Sequence, residues 1–483
     1  MKFGNIPPDN TDLSPTSGLP NNPALKAVAR LLDLWGKWFG LPPGLPGARL
    51  VLLILLVTCL AGFTQSLKDS IPYGGVDLRA RVVCARAMLE GKSAFFFRQD
   101  ADTPQRLMDP CRDYVDIARN SYPPTLLGVY AILAPMPYKA QRLAWIVLEW
   151  LALLASVALL ARIIRRPDQR LLFVTVAILF FAGGNFWRLH VERGQYYVFV
   201  VLLWSVALYR CMNKKTDGIL AGLLIGLAAS LRPTGLVALA PLWMLGLRRT
   251  ALAMLLGVGL AVAATMPLSG IRGWQDYVRM VELLGQQTAH PGALDAFGGG
   301  PTPPPPPVIE GCTNLRNPMT TETANVALPA VLARLGEKWP AFTSAIAGVA
   351  NKIACAAMLA VFGVAMLVTR RRGYGPRYVM AISIAMVLAI DYFVPIRCGY
   401  ADVLFLLPIA LLMPGLMHRA YAPSLLLVML GLVVGYVAAM TGHAGTWLRN
   451  MMVMAGLACY LLVAWRRRTF RRGTAAIEPP DMQ

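Results

Sequence analysis

Residues 143–166 read LAWIVLEWLALLASVALLARIIRR. From Leu143 to Ala161 the single charge is Glu149, and the run then closes on Arg162, Arg165 and Arg166. About 20 apolar residues in a helix rise some 30 Å, the thickness of a bilayer's hydrocarbon core. A basic cluster at one end marks the side on which positive charge is retained. The stretch therefore predicts a membrane-spanning helix whose C-terminal end is cytoplasmic.

The same pattern recurs along the chain. Apolar runs occupy 48–66, 143–164, 170–184, 195–212, 217–231, 233–247, 250–267, 341–369, 377–394, 402–417, 422–441 and 447–465. Composition agrees. Of 483 residues 56% are hydrophobic and 15% charged, against about 25% charged in a soluble chain, and the mean hydropathy is +0.53. A soluble multidomain protein, a disordered chain, collagen and a small disulfide scaffold are thereby excluded. The expected fold is an all-α polytopic membrane protein with about 12 transmembrane helices. Juxtamembrane helices are expected in its first outer loop.

The chain carries 46 Lys and Arg against 25 Asp and Glu, a net charge of +21. In a soluble protein this excess would suggest nucleic acid. Here the basic residues flank apolar runs and no nucleic-acid motif is present, so topology accounts for them and nucleic acid is not an expected partner. With 1–47 cytoplasmic, and the short Pro-bounded run 123–138 not crossing, Arg162, Arg165, Arg166, Arg210, Lys214, Lys215, Arg248, Arg249, Arg370, Arg371, Arg372 and Arg419 all fall inside. So does the tail that begins at Arg466.

The expected organisation follows. Residues 1–47 form a cytoplasmic tail with an interfacial helix over 24–40, and no cleaved signal is expected. Residues 48–270 form an N-terminal transmembrane module with an outer loop over 67–142. Residues 271–340 form a second outer loop, with an amphipathic helix at 271–288 and a Pro-rich spacer at 298–308. Residues 341–465 form a C-terminal transmembrane module and 466–483 a basic tail. Gly218, Gly222 and Gly226 permit close helix approach, within the chain or between copies. Cys84, Cys111, Cys312 and Cys398 lie on the outer side, where Cys111 and Cys312 could be paired or free. Asp100 and Asp102 form a DxD, first a solvated acidic turn and alternatively a divalent-ion ligand. No cofactor is expected.

Polar residues gather on the outer face. Asp77 opens a helix that ends near Gly91, either as its N-cap or as a carboxylate able to accept a proton. Tyr122-Pro123-Pro124 fixes an extended entry to the next apolar segment. The turn RLHVERGQYY at 188–197 holds His190, Arg193 and Gln195, which could bind an anionic headgroup or anchor the loop at the interface. Arg232, held before Pro233 between two apolar runs, is suited to a phosphate. At 391–402 lie Asp391, Arg397, Tyr400 and Asp402, the mixture a sugar pocket would use, or an intramembrane salt bridge that closes the bundle.

In order and spacing these residues resemble the glycosyltransferase C superfamily, and within it glycosyltransferase family 87, the polyprenyl-phosphate-mannose type. The resemblance rests on Asp77 followed by Ala85-Arg86-Ala87-Met88-Leu89-Glu90-Gly91, on Tyr122-Pro123-Pro124, and on Pro135, Ala144 and Trp145. Gly194-Gln195 and Arg232-Pro233 complete it. It is good over roughly 50–270, and the C-terminal part departs most, with Arg397 and Tyr400 where the family often has an aromatic and His residues. The resemblance implies a glycosyltransferase C-like fold in the cell inner or plasma membrane with the active site on the outer, periplasmic face, and the charge distribution puts both termini in the cytoplasm. A mannose-like or other hexose or pentose would pass, with inversion, from a polyprenyl-phosphate carrier to a glycan or glycolipid hydroxyl. Asp77 would be the base. Arg232, Arg193 and Arg397 would hold the donor phosphate. Tyr122, His190, Gln195, Asp391, Tyr400 and Asp402 would line the substrate site. The alternative is a transporter or flippase for a lipid-linked or anionic solute. It would need polar residues spread through the spans, where Glu149 is the clear exception to charges at span ends.

Overall fold

The computed structural model describes residues 23–43, 45, 47–73, 75–97, 103–108, 121–213, 218–289, 327–329, 331, 332, 344–370, 375–394, 397, 399–413, 420–438 and 443–467. Asp100, Asp102, Cys111, Cys312, Cys398, Lys214, Lys215, Arg371, Arg372, Arg419 and the Pro-rich spacer lie outside them. Among the described residues all regular structure is helical.

The helices are α1 (Pro23–Trp38), α2 (Ala48–Tyr73), α3 (Val76–Leu89), α4 (Pro124–Ala131), α5 (Tyr138–Arg162), α6 (Pro167–Ala177), α7 (Asn185–Arg193), α8 (Tyr197–Asn213), α9 (Ile219–Leu231), α10 (Leu239–Met244), α11 (Arg248–Ala289), α12 (Ser344–Arg370), α13 (Pro376–Ile390), α14 (Leu406–Leu412), α15 (Ala422–Ala438) and α16 (His443–Arg467). Every apolar run in the sequence thus carries a helix. Proline begins several of them, where its missing N–H costs nothing.

By length and composition four helices can cross a membrane: Ala48–Lys68, Tyr138–Arg162, Arg248–Leu284 and Ile346–Arg370. A fifth arises if the bent pair Pro167–Ala182 and Trp187–Arg193 counts as one span. The other apolar helices have 10–17 residues, or about 15–26 Å, short of the hydrocarbon thickness. The expectation of about 12 full-length spans is therefore met by length in four or five cases. The shortening has local causes. Arg232, extended at φ −135°, ends α9, and Pro233 starts a 3-10 turn over Pro233–Ala238. A π turn over Ile178–Ala182 ends the helix before Gly183.

The run 123–138 forms only the eight-residue α4, about 12 Å long, and cannot cross. The ends of α2 and α5 agree with this. Arg162 Nη2 donates to Trp38 O at 2.9 Å, and Arg170 donates to Gly40 O. The chain entering α2 and the chain leaving α5 thus meet at one end of the bundle, with two crossings between them. Asp33 and Arg49 join α1 to α2 through two hydrogen bonds of 3.1 and 3.0 Å. Leu25, Val28, Leu31, Leu34 and Trp38 make an exposed apolar stripe along α1, as an interfacial helix requires.

Glycine spacing in α9 is used inside the chain. A Cβ on Gly222 would lie 2.2 Å from Thr250 O, and one on Gly226 2.2 Å from Met254 O. α9 and α11 therefore meet backbone to backbone. α11 breaks at Gly270, φ 59°, and its second half is the amphipathic helix expected at 271–288. That half buries Met280, Leu283 and Leu284 against Cys84, Met88, Phe95 and Leu127, and Ser93 Oγ donates to Asp276 Oδ2 at 2.6 Å. Leu328 N donates to Tyr392 O at 2.6 Å. Parts of the two long connecting segments, 67–142 and 271–340, so gather at the end of the bundle that carries α3.

Candidate active site

Asp77 is the second residue of α3. The N-cap is Gly75, left-handed at φ 54° and ψ 61°, with no side-chain capping bond. The capping expectation for Asp77 is thus corrected: its carboxylate turns away from its own backbone. The Gln195 Nε2 amide donates to Asp77 Oδ2. Arg193 Nη1 lies 3.7 Å from Oδ1 and Arg81 Nη2 3.9 Å from Oδ2. The Asp77 side chain is 23% exposed and that of Arg193 17%, so both stand at an opening.

The turn that brings Gln195 here follows from one glycine. α7 ends at Gly194, φ 68°, where Gly194 N donates to Val191 O and Gln195 N to His190 O, both at 3.0 Å, a Schellman closure. Arg142 Nη2 donates to Val191 O at 2.9 Å and Glu192 O at 2.6 Å. A Cβ on Gly194 would lie 2.6 Å from Leu78 Cβ, and one on Gly75 2.6 Å from Arg142 Nη1. The two left-handed glycines allow the start of α3 to close onto this turn.

Arg81 is the hub, and its place was hidden among the basic residues of the sequence. Nη1 donates to Tyr130 Oη at 3.2 Å and Gly194 O at 3.1 Å; Nη2 donates to Tyr122 Oη at 2.9 Å and Gln195 Oε1 at 2.8 Å. The guanidinium lies 4.3 Å from the Tyr122 ring centroid. Burial pushes the Tyr122 phenol up to about 12, against the pull of Arg81. The available signal was spacing: Asp77 and Arg81 are an i,i+4 pair on one helix face.

His190 is fully buried. Its Nε2 accepts from Val198 N at 3.3 Å, so Nδ1 carries the proton and lies 3.0 Å from Glu149 Oε1. Gln195 is buried too, with both ends of its amide engaged. These two residues of the expected substrate set stand behind the opening, while Tyr122 is partly exposed beside it.

Arg232 has a carboxylate partner. Its Nε lies 3.0 Å from both Asp391 oxygens, Nη2 2.9 Å from Oδ2, and Nη1 donates to Tyr197 Oη at 2.6 Å. Thr234 Oγ1 donates to Asp391 Oδ1 at 2.7 Å. Arg397 Nη2 donates to Asp402 Oδ1 at 2.9 Å, and Arg449 donates to Asp402 Oδ2. The 391–402 junction therefore takes the salt-bridge form of the two open at the sequence level. Tyr400 faces Tyr197 at 5.6 Å, Tyr197 stacks on Tyr196 at 4.6 Å, and Tyr196 meets Tyr122 at 5.4 Å. The tripeptide Gln195-Tyr196-Tyr197 thus touches Asp77 at one end and Arg232 at the other. Among the described residues no cluster of three or more His, Cys, Asp or Glu could hold a metal ion.

Residues 120–298 match the model of Glycosyltransferase family 87. The matched stretch holds Tyr122, Trp145, Gly194-Gln195 and Arg232-Pro233, and the match bears out the resemblance to this family. Asp77 and 391–402 lie outside it. No curated protein and no solved structure matches the chain. The match, with the long apolar helices, supports a membrane glycosyltransferase.

Proposed function

We propose, from this match and the surroundings of Asp77, that the protein moves a sugar from a polyprenyl-phosphate carrier to a hydroxyl acceptor at the outer face, with inversion. The observation that carries the reading is Asp77 itself. It is a carboxylate at an opening, outside its own cap, with an amide and two guanidiniums turned toward it. The acceptor hydroxyl would give its proton to Asp77 as its oxygen bonds to the anomeric carbon. The bond from that carbon to the phosphate oxygen would break on the opposite face, and its electron pair would stay on the phosphate. Arg193, a partly exposed guanidinium, is the cation we assign to that charge. Arg232 and Arg397 are each held by a carboxylate, and we assign them support of the pocket wall behind it. The outer location rests on the distribution of basic residues.

The buried charges fit this reading better than a conduit. Glu149 stands beside His190, Arg232 beside Asp391, and Asp402 beside Arg397 and Arg449. The test is transfer by the purified chain in lipid nanodiscs, with polyprenyl-phosphate hexoses and pentoses beside nucleotide sugars as donors. Transfer from the lipid-linked sugars alone is expected. Transfer from a nucleotide sugar would overturn the donor assignment.

A further inference from the structure

We propose that Arg81 is the positioning residue of this site: its guanidinium decides which end of the Gln195 amide faces Asp77. The consequence for catalysis rests on the reading of Asp77 as a base; the orientation does not.

A guanidinium has donors and no acceptor, whereas an amide has one end of each kind. Arg81 Nη2 lies 2.8 Å from Gln195 Oε1, so the oxygen is committed to Arg81 and the NH2 turns to Asp77. The flipped amide would set N–H against N–H on one side and oxygen against carboxylate on the other. Both residues are buried, Arg81 at 2% exposure and Gln195 at 0%, so bulk water is not at hand to relieve the flipped arrangement. Arg81 is itself fixed by Tyr122, Tyr130 and Gly194 O. With Oδ2 pinned by the amide, Oδ1 of Asp77 is left toward Arg193. That oxygen is the one the acceptor would meet, and its direction is set through Gln195 by Arg81.

Lysine at 81 keeps the charge but loses the planar fork, which separates positioning from electrostatics. The full-length protein, labelled with 15N-glutamine, reports each side-chain amide by NMR. The Gln195 signal is assigned by its loss in Gln195→Met. Gln141, whose Nε2 donates to Leu133 O and Met136 O, is the internal reference for a folded bundle. In the wild type a Gln195 amide proton should lie downfield, as a donor to a carboxylate does. Asp77→Asn should move it upfield, and so should Arg81→Lys, with Gln141 unmoved in both. A Gln195 signal unchanged by Asp77→Asn, or moved by Asp77→Asn and unchanged by Arg81→Lys, would overturn the proposal. Should Arg81→Lys also disturb Gln141, Tyr122→Phe with Tyr130→Phe replaces it. Removing two of the guanidinium's acceptors should broaden the Gln195 pair, and a sharp, unmoved pair would count against Arg81. In the transfer assay Arg81→Lys should lower turnover on the order of 10-fold to 100-fold at unchanged donor KM. A wild type without transfer sinks the enzymatic reading and leaves the orientation to the spectra.

Discussion

Asp77 lies two positions beyond the residue that caps its helix, and this separates its structural cost from its chemistry. Asp77→Asn removes no cap bond, so thermal unfolding should shift by the equivalent of about 1 kcal/mol or less. Transfer should nevertheless fall by a factor on the order of 10²–10⁴, and an Asn variant with normal turnover would remove Asp77 from the mechanism. Gly194 behaves in the opposite way. It has no side chain to contribute, yet Gly194→Ala would force a left-handed alanine whose Cβ sits 2.6 Å from Leu78 Cβ. A loss above about 1 kcal/mol is expected, read as a lower Tm in the same assay.

Among the helices the decisive feature is the tie between the ends of α9 and α13. Arg232 ends α9, Asp391 follows α13, and the pair joins residues 159 apart in sequence. Breaking a buried pair leaves one charge without its counterion, which costs about 3–5 kcal/mol. Arg232→Ala should therefore destabilise strongly. Combining it with Asp391→Asn should restore part of the loss, because the two changes act on one interaction. Additive losses in a double-mutant cycle would show that each residue acts apart from the other. The same cycle bears on the donor site. If Arg232 binds phosphate directly, the double variant regains stability without regaining donor affinity.

Across the whole molecule, described segments gather at two ends of the bundle. α1 and the corner between α5 and α6 meet at one; α3, the 194–197 turn, the second half of α11 and Tyr392 meet at the other. Which end faces outward follows from charge. Single cysteines on a Cys-free background test it. A cysteine at Arg106, whose side chain is 68% exposed, should react with an impermeant maleimide in intact cells. One at Arg166, 37% exposed, should react only after permeabilisation. The reverse pattern would turn the molecule over and place Asp77 in the cytoplasm.

The twelve apolar runs are legible in the sequence because hydrophobicity and helix length are local, additive properties of consecutive residues. The amphipathic helix after the break at Gly270 is legible on the same grounds, whereas the reading of 123–138 as non-crossing rests on the distribution of positive charge along the chain. The residues around Asp77 could also be named, since Gly-Gln and Tyr-Pro-Pro are local patterns. Their division of labour could not. That Gln195 spends its amide on Asp77 and Arg81, that His190 turns to Glu149, and that Arg232 turns to Asp391 depend on side chains from distant segments meeting in one place. A buried charge or amide takes the nearest complementary partner, because leaving it unpaired costs more than most other interactions are worth. Which partner is nearest is a property of the packed helices, and only the tertiary structure decides it.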